Sequence, residues 1–160
     1  MNNMEQKLNE IYGEVANTLN IIIPEKWDKV LLYGEINEDT RTAFFNYYPV
    51  GKKESIYSHD IPQIFNISKL EYRKQLRKLL DVLEELWHEF KNNEQEPWTN
   101  LTFILESNGK FNIEYDYTDL SNVNDVERHA IWDYKYLGIM PEDDYRKKFV
   151  EEFIKNTENR

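Results

Sequence analysis

The sequence predicts an α+β fold, with helices packed against a mostly antiparallel sheet of about four to five strands. Segments with helical spacing of apolar residues occur at the start, in the middle and at the end of the chain. Pairs of β-rich segments joined by short turns lie between them. Short turns favour antiparallel pairing, since parallel strands need long crossovers. The length of 160 residues predicts a single domain over residues 1–160.

The first half of the chain predicts one helix followed by strands. Apolar residues recur every three or four positions over residues 4–20, which predicts an amphipathic helix that ends before Pro24. Residues 28–36 and 41–49 are β-rich and flank a short polar segment, which indicates a hairpin. A short third strand is predicted near residues 54–59.

A long helix in the middle of the chain is the most strongly marked element. Ser68 and Glu71 match a capping box, in which the serine side chain accepts a hydrogen bond from the first turn and the glutamate side chain reaches back. Apolar residues then keep helical spacing as far as Phe90, and Trp87 falls on this stripe as a core residue. A polar segment that ends in Pro97 terminates the helix.

A second hairpin is predicted from residues 99–106 and 110–118. A three-residue loop that ends at Gly109 pairs Leu105 with Phe111 and keeps the apolar side chains of both strands on one face. A two-residue loop would mix the faces. Gly109 then occupies the left-handed position that such loops require.

The last third of the chain predicts two helices. One runs from about residue 125 to 137 and is ended by Gly138. The other is opened by Pro141, with acidic residues at the positive end of its dipole. Its predicted apolar stripe consists of Tyr145, Phe149 and Phe153.

Composition excludes several classes of protein. Cysteine is absent, so there is no disulfide framework and no thiolate chemistry. The N-terminus lacks the apolar region of a signal peptide, and no apolar run is long enough to span a membrane. We therefore expect a soluble, cytoplasmic protein without a membrane partner. The formal net charge of −10 disfavours direct binding of nucleic acid.

The negative charge is concentrated in one segment. Residues 81–133 contain 13 acidic and 3 basic side chains, whereas residues 1–80 and 134–160 are each neutral. Dispersed charge would serve solubility equally well. The concentration in one segment therefore favours a surface that meets a positively charged partner.

Motifs for catalysis or metal binding are not found. Glu85 and His88 have the spacing of a carboxylate-bridged metal site, but the second copy that such a site needs is absent. His129 and Asp133 are four residues apart on a predicted helix, which is typical of an ion pair. The sequence contains no phosphate-binding glycine loop and no nucleophile elbow. No catalytic residue, metal or cofactor is predicted.

Three groups of residues are candidates for binding a partner. The first is acidic and lies on the outer face of the second hairpin and in the loop after it. The second is acidic and lies on the long helix. The third is aromatic, and its members either pack in the core or anchor an interface. In that order, the groups are Glu106, Glu114, Asp116 and Asp119; Asp81, Glu84 and Glu85; and Trp132, Tyr134 and Tyr136.

Four stretches of sequence, in order along the chain, carry a resemblance to a known family. They are Ile23-Pro24-Glu25-Lys26-Trp27-Asp28-Lys29-Val30; Phe44-Phe45-Asn46-Tyr47; Glu96-Pro97-Trp98-Thr99 running on to Phe111 and Tyr115-Asp116-Tyr117; and Tyr134-Lys135-Tyr136-Leu137-Gly138-Ile139-Met140-Pro141. With these stretches the chain resembles the YezG-type immunity protein family, which includes the EsaG antitoxin.

The resemblance implies a cytoplasmic antitoxin without catalytic activity. Such proteins neutralise a secreted polymorphic toxin, typically a nuclease exported by a type VII system. A nuclease must hold phosphates in a basic cleft, so an acidic face could occupy that cleft. Two other functions remain open from the residues: a regulatory or scaffold binding module without a toxin partner, and a small carboxylate-dependent hydrolase. Apolar positions on both faces of residues 42–48 also leave a homo-oligomer open.

Overall fold

Residues 3–158 are described by a computed structural model. The chain divides into two units, residues 1–118 and residues 119–160, which are described one after the other. The single domain over residues 1–160 stays a prediction. No helix within the described residues is both long and apolar enough to cross a membrane.

The first unit contains three α-helices, a short 3₁₀ turn and a five-stranded sheet. In the sheet the strand order is β3-β2-β1-β4-β5, and every neighbouring pair is antiparallel. The predicted α+β fold is therefore confirmed. The elements are α1 (Asn3–Ile22), β1 (Trp27–Ile36), β2 (Arg41–Pro49), β3 (Ile56–Tyr57), the 3₁₀ turn (Ser58–Asp60), α2 (Ile61–Ile64), α3 (Lys69–Asn92), β4 (Asn100–Glu106) and β5 (Phe111–Asp116).

One face of the sheet forms the core of this unit together with α1 and α3. Leu32 on β1 is paired with Phe45 on β2 and with Phe103 on β4, and all three side chains are buried. The apolar faces of α1 and α3 belong to the same buried cluster, for example through Ile11 and Leu83. We call this the helix face of the sheet, and the opposite side the second face.

At Gly34 the side chain of Leu83 on α3 packs against the backbone of β1. A Cβ atom on Gly34 would lie 2.9 Å from Leu83 Cδ1. Leu83 is itself buried, so its side chain has little room to move away. We therefore expect Gly34→Ala to lower the free energy of unfolding by about 1–3 kcal/mol through overpacking.

Gly13 provides the matched control for this prediction. It lies within α1, and a Cβ atom there would meet nothing within 4 Å. Because glycine destabilises a helix interior, Gly13→Ala is expected to raise the free energy of unfolding by roughly 0.5–1 kcal/mol. Urea unfolding of both variants measures the difference. Equal effects of the two substitutions would contradict the close approach at Gly34.

The second hairpin has the predicted register. Leu105 is paired with Phe111, and Gly109 has a φ of 90°. Glu106 N donates to Lys110 O at 2.8 Å, and Gly109 N donates to Glu106 O at 2.9 Å, which closes a three-residue loop. Alternation of apolar residues was thus sufficient to predict which loop joins these strands.

The long helix begins after Ser68, as predicted, but with the serine half of the predicted capping box. Ser68 Oγ accepts a hydrogen bond from Glu71 N at 3.3 Å, as in a capping box. The Glu71 side chain instead accepts from Gln75 Nε2 at 3.1 Å, one turn further along α3. Trp87 is buried, as predicted, and its Nε1 donates to the Trp98 carbonyl at 3.1 Å.

Between β2 and α3 the chain differs from the prediction. The third strand is only two residues long, and the 3₁₀ turn and α2 follow it without being predicted. The apolar residues on both faces of residues 42–48 do not indicate an oligomer, because most of them are buried within the chain. Phe44 and Phe45 point to opposite faces of β2 and both are buried within the chain.

The second unit contains α4 (Asp125–Trp132), a π-helical turn (Asp133–Leu137) and α5 (Asp144–Glu158). The predicted helix over 125–137 has the right extent, but its last five residues are π-helical. Gly138 ends it in the left-handed conformation, with a φ of 70°, as expected for a helix terminator.

The start and the buried stripe of α5 correct the sequence prediction. Pro141 lies before the helix, which begins at Asp144. Asp143 Oδ2 accepts from Arg146 N at 2.9 Å, and a carboxylate that binds a free backbone N–H is a stronger start signal than a proline. Tyr145 is 59% exposed, and Val150 is the buried residue of the helix.

Candidate functional site

The second face of the sheet is buried at its centre and acidic at its rim. Leu31 and Thr102 are buried there, and Tyr33 stacks on Phe44 with ring centroids 5.0 Å apart. Every second residue of a strand points to this face, so the register identifies the residues around it. Its carboxylates are Glu35 on β1, Glu106 on β4, and Glu114 and Asp116 on β5.

Glu114 and Asp116 lie side by side on β5 and are exposed. Two residues apart on one strand face, their Cα atoms are about 7 Å from each other. Asp116 Oδ2 accepts from Asn100 Nδ2 at 2.8 Å, and Asp116 Oδ1 accepts from Thr118 Oγ1 at 3.1 Å. These neutral donors orient the Asp116 carboxylate without removing its charge.

Glu35 is a carboxylate that the sequence analysis missed. It is paired with Asn100 across β1 and β4, and Asn100 is paired with Asp116 across β4 and β5. The two carboxylates therefore lie in one row, about 10 Å apart across three strands. Tyr33 Oη donates to Glu35 Oε1 at 2.5 Å. Because Glu35 belongs to the neutral first half of the sequence, counting charge by segment could not find it.

Glu106 lies at the opposite end of the second face. Glu106 lies six positions after Asn100 along β4, a distance of about 20 Å. Its strand neighbours are Lys29 on β1 and Lys110 on β5. The negative charge of Glu106 is thus flanked by two positive charges, so Glu106 does not extend the acidic region formed by Glu35, Glu114 and Asp116. We call those three residues the acidic rim.

The carboxylates of α3 are paired within the fold. Arg41 Nη1 lies 2.7 Å from Asp81 Oδ1 and 3.3 Å from Glu84 Oε2, so it connects β2 to α3. Lys7 Nζ lies 3.2 Å from Glu85 Oε1 and connects α1 to α3. Since α3 covers the helix face, this group and the acidic rim lie on opposite sides of the sheet.

Asp119 follows the hairpin in sequence and belongs to the second unit. Its Oδ1 accepts a hydrogen bond from Ser121 N at 3.0 Å. That bond lowers the pKa of the exposed Asp119 carboxyl below its usual value, so the group is ionised at neutral pH.

The aromatic candidates lie at the end of α4 and in the π-helical turn. Trp132 is 5% exposed, and its ring centroid is 5.3 Å from that of Tyr136. Tyr134 and Tyr136 are half-buried. The burial of Trp132 supports its interpretation as a packing residue. Tyr134 and Tyr136 remain partly accessible to a partner.

A small groove of about 300 Å³ in the second unit contains titratable groups. His129 Nε2 lies 3.4 Å from Asp133 Oδ1, which confirms the predicted ion pair. Asp125, the other carboxylate of the groove, lies 2.6 Å from Arg128 Nη2. Because Asp125 is paired with Arg128 and Asp133 contacts His129, the groove offers no support for the carboxylate-dependent hydrolase.

Two tyrosine hydroxyls form a partly buried pair between α1 and β5. Tyr12 Oη on α1 and Tyr115 Oη on β5 are 2.6 Å apart. Burial raises the pKa of Tyr115, and burial also raises that of Tyr12. The unfolded value is about 10, so folding favours the neutral phenols. Their contribution to stability is fully present below pH 10 and is lost as the pH rises above that value.

We therefore expect the free energy of unfolding to fall between pH 9.5 and 11, a range set by the tyrosine value of about 10. Tyr115→Phe is expected to make this fall shallower. Burial also raises the pKa of Tyr47, so part of the fall remains. Urea unfolding across this pH range measures the slope. Tyr145→Phe, at an exposed site, is the control, and an identical slope for Tyr115→Phe and wild type would contradict the assignment.

Comparison with known proteins identifies a family whose members resemble this chain over almost its whole length. The family described as "Immunity protein YezG-like" matches residues 8–151 of the chain. An Immunity protein YezG of Bacillus spizizenii is 40% identical over 156 residues, covering 96% of this chain and 97% of the relative. The protein of the same name from Bacillus subtilis is 40% identical over 149 residues, covering 92% and 99%. The Type VII secretion system protein EsaG of Staphylococcus aureus is 34% identical over 159 residues, covering 96% and 98%.

Proposed function

The chain belongs to the YezG-like immunity protein family, and on this premise we propose that it is an antitoxin that binds and neutralises a toxin protein. The resemblance drawn from four stretches of sequence is confirmed. The observation that carries the proposal is 40% identity to a named immunity protein over almost the full length of both chains. Neutralisation by binding a toxin requires no catalytic residue in the antitoxin.

We extend the proposal to the class and origin of the toxin. One relative is named for a type VII secretion system, which supports a toxin exported by such a system and neutralised in the cytoplasm before export. A nuclease is the toxin class that an acidic inhibitor fits best. Its substrate is a polyanion, so its cleft must be basic, and exposed carboxylates can bind there in place of phosphates.

The acidic rim is the surface that we propose for this contact, with Asp119 following it in sequence. Glu114 and Asp116 are exposed, and Asn100 and Thr118, which donate hydrogen bonds to Asp116, are neutral residues rather than cations. The carboxylates of α3, by contrast, are already paired with Arg41 and Lys7. Pairing with an internal cation weakens the attraction of a carboxylate for a positively charged partner.

On the other side of the sheet, the first half of α3 carries positive charge, which favours docking through the acidic rim. The first half of α3 is strongly basic, and its cations are spaced so that they form adjacent rows along the outer face of the helix. A basic toxin is repelled from this half of the helix and attracted to the acidic rim. The exposed cations are Lys69, Arg73, Lys74, Arg77 and Lys78.

Co-expression tests the function directly. The probe is the C-terminal domain encoded by the neighbouring large gene, produced in cells with and without this chain. We expect the domain alone to stop growth, and the chain to restore growth and to co-purify with the domain. Growth arrest despite production of the chain, without co-purification, would refute the pairing. The catalytic class of the domain, measured on DNA and RNA, decides whether it is a nuclease.

A further inference from the structure

Strand β5 is the long open edge of the sheet. Its neighbour on one side is β4, and within the described residues no strand lies on its other side. Phe111 is 46% exposed, and β5 alternates between exposed and half-buried residues beyond it. The opposite edge of the sheet, β3, has only two residues. An open strand of six residues without proline is a template for pairing with another strand.

The backbone of β5 directs alternate residues toward this edge. Lys110 O accepts from Glu106 N at 2.8 Å, and Asp116 O accepts from Thr99 N at 2.8 Å, so both carbonyls point toward β4. Hydrogen-bonding direction alternates along a strand. The N–H and C=O groups of Phe111, Ile113 and Tyr115 therefore point away from β4, toward the open edge.

We propose that β5 pairs with β5 of a second copy of this chain, in an antiparallel register centred on Ile113. Ile113 then faces Ile113 of the other copy, and Phe111 faces Tyr115 on each side. These are the residues whose backbone groups point outward, so each facing pair can exchange two hydrogen bonds. The two sheets become one continuous sheet around a two-fold axis.

The side chains of β5 are self-complementary in this register. Lys110 faces Asp116 of the second copy, and symmetry repeats this opposite-charge pair at the other end of the strand. On the helix face, Phe111 faces Tyr115, and the ring of Tyr12 already lies 5.4 Å from that of Phe111. The paired aromatic rings thereby extend a cluster that begins under β5 in each copy.

The alternative registers fit less well. A pairing centred on Tyr115 would place Glu114 opposite Asp116 and bring like charges together. A pairing centred on Phe111 would place Lys110 opposite Asn112 and leave the second half of β5 unpaired. Only the register centred on Ile113 combines the outward backbone groups, the full strand and the opposite charges.

Sedimentation velocity of the purified chain, without toxin, over a range of concentrations tests the proposal. We expect a dimer in the wild type and a monomer for Ile113→Pro. The Ile113 N–H is not used by the hairpin, so proline is tolerated at this edge position of the monomer, whereas the dimer loses its two central hydrogen bonds. Circular dichroism confirms that the variant is folded. Ile113→Ala, which removes the side chain but keeps the N–H, is the matched control and is expected to remain dimeric.

Exchanging the charges of Lys110 and Asp116, singly and together, tests the register without introducing proline. This experiment tests the dimer even if Ile113→Pro fails to fold. Lys110→Asp and Asp116→Lys each place like charges opposite one another and are expected to raise the dimer dissociation constant about tenfold, because symmetry changes two pairs at once. The double variant restores opposite charges and is expected to recover the wild-type value. A wild type that is monomeric at every concentration, or a double variant no better than the single ones, would overturn the proposal. Because toxin is absent, this result is independent of the antitoxin function.

Discussion

Reversing the charge of Glu114 and Asp116 to lysine is expected to slow association with the toxin about 10- to 100-fold at low ionic strength. Both carboxylates are exposed and lie on one face of β5, where their potential steers a basic partner before contact. Salt screens such steering, so the wild-type rate should fall steeply as ionic strength rises, and the rate of the double variant should barely change. Stopped-flow fluorescence at several salt concentrations measures both rates.

A second double variant distinguishes the effect of where the charges lie from the effect of the protein's net charge. Glu151 and Glu152 are exposed on α5, in the neutral last part of the chain, and reversing both to lysine changes the net charge by the same amount. We expect this control to associate at close to the wild-type rate. If the two double variants slowed association equally, net charge alone would explain the effect, and the acidic rim would not be the docking surface.

Leu83→Ala is expected to produce the largest loss of stability, about 2–5 kcal/mol in the free energy of unfolding. Leu83 is 1% exposed and lies where α3 meets Gly34 on β1, so its removal leaves a cavity between the helix and the sheet. Chemical unfolding followed by circular dichroism measures the loss.

The same helix offers the control for this substitution. Leu70 is 76% exposed in the first turn of α3, so Leu70→Ala removes almost no buried surface. We expect it to change the free energy of unfolding by about 0.5 kcal/mol or less. A similar effect of both substitutions would contradict the packing of α3 on the helix face.

Elements defined by local spacing were predictable from the sequence. Alternation in β4 and β5, together with Gly109, was enough to predict the loop length and register of the second hairpin, because these contacts are only a few residues apart. The start of α3 was equally predictable from Ser68 and Glu71. The start of α5 was not, because Pro141 and Asp143 give competing signals and the carboxylate forms the capping bond.

The acidic site could be predicted only in part, because charges that are distant in sequence become neighbours in the sheet. Glu114 and Asp116 were predicted from the hairpin. The pairing of β1 with β4 then places Glu35 beside this pair and Lys29 beside Glu106, and no local pattern encodes that pairing. In the same way, Arg41 forms ion pairs with Asp81 and Glu84 of α3, which lie about forty positions later in the chain.

The structure of the chain in complex with its toxin tests the central claim most directly. The account predicts that Glu114 and Asp116 lie within hydrogen-bonding distance of lysine or arginine side chains of the toxin, with the basic half of α3 facing away. A complex in which these carboxylates face water, and the contacts are made by the basic half of α3 or by the last helix, would contradict it.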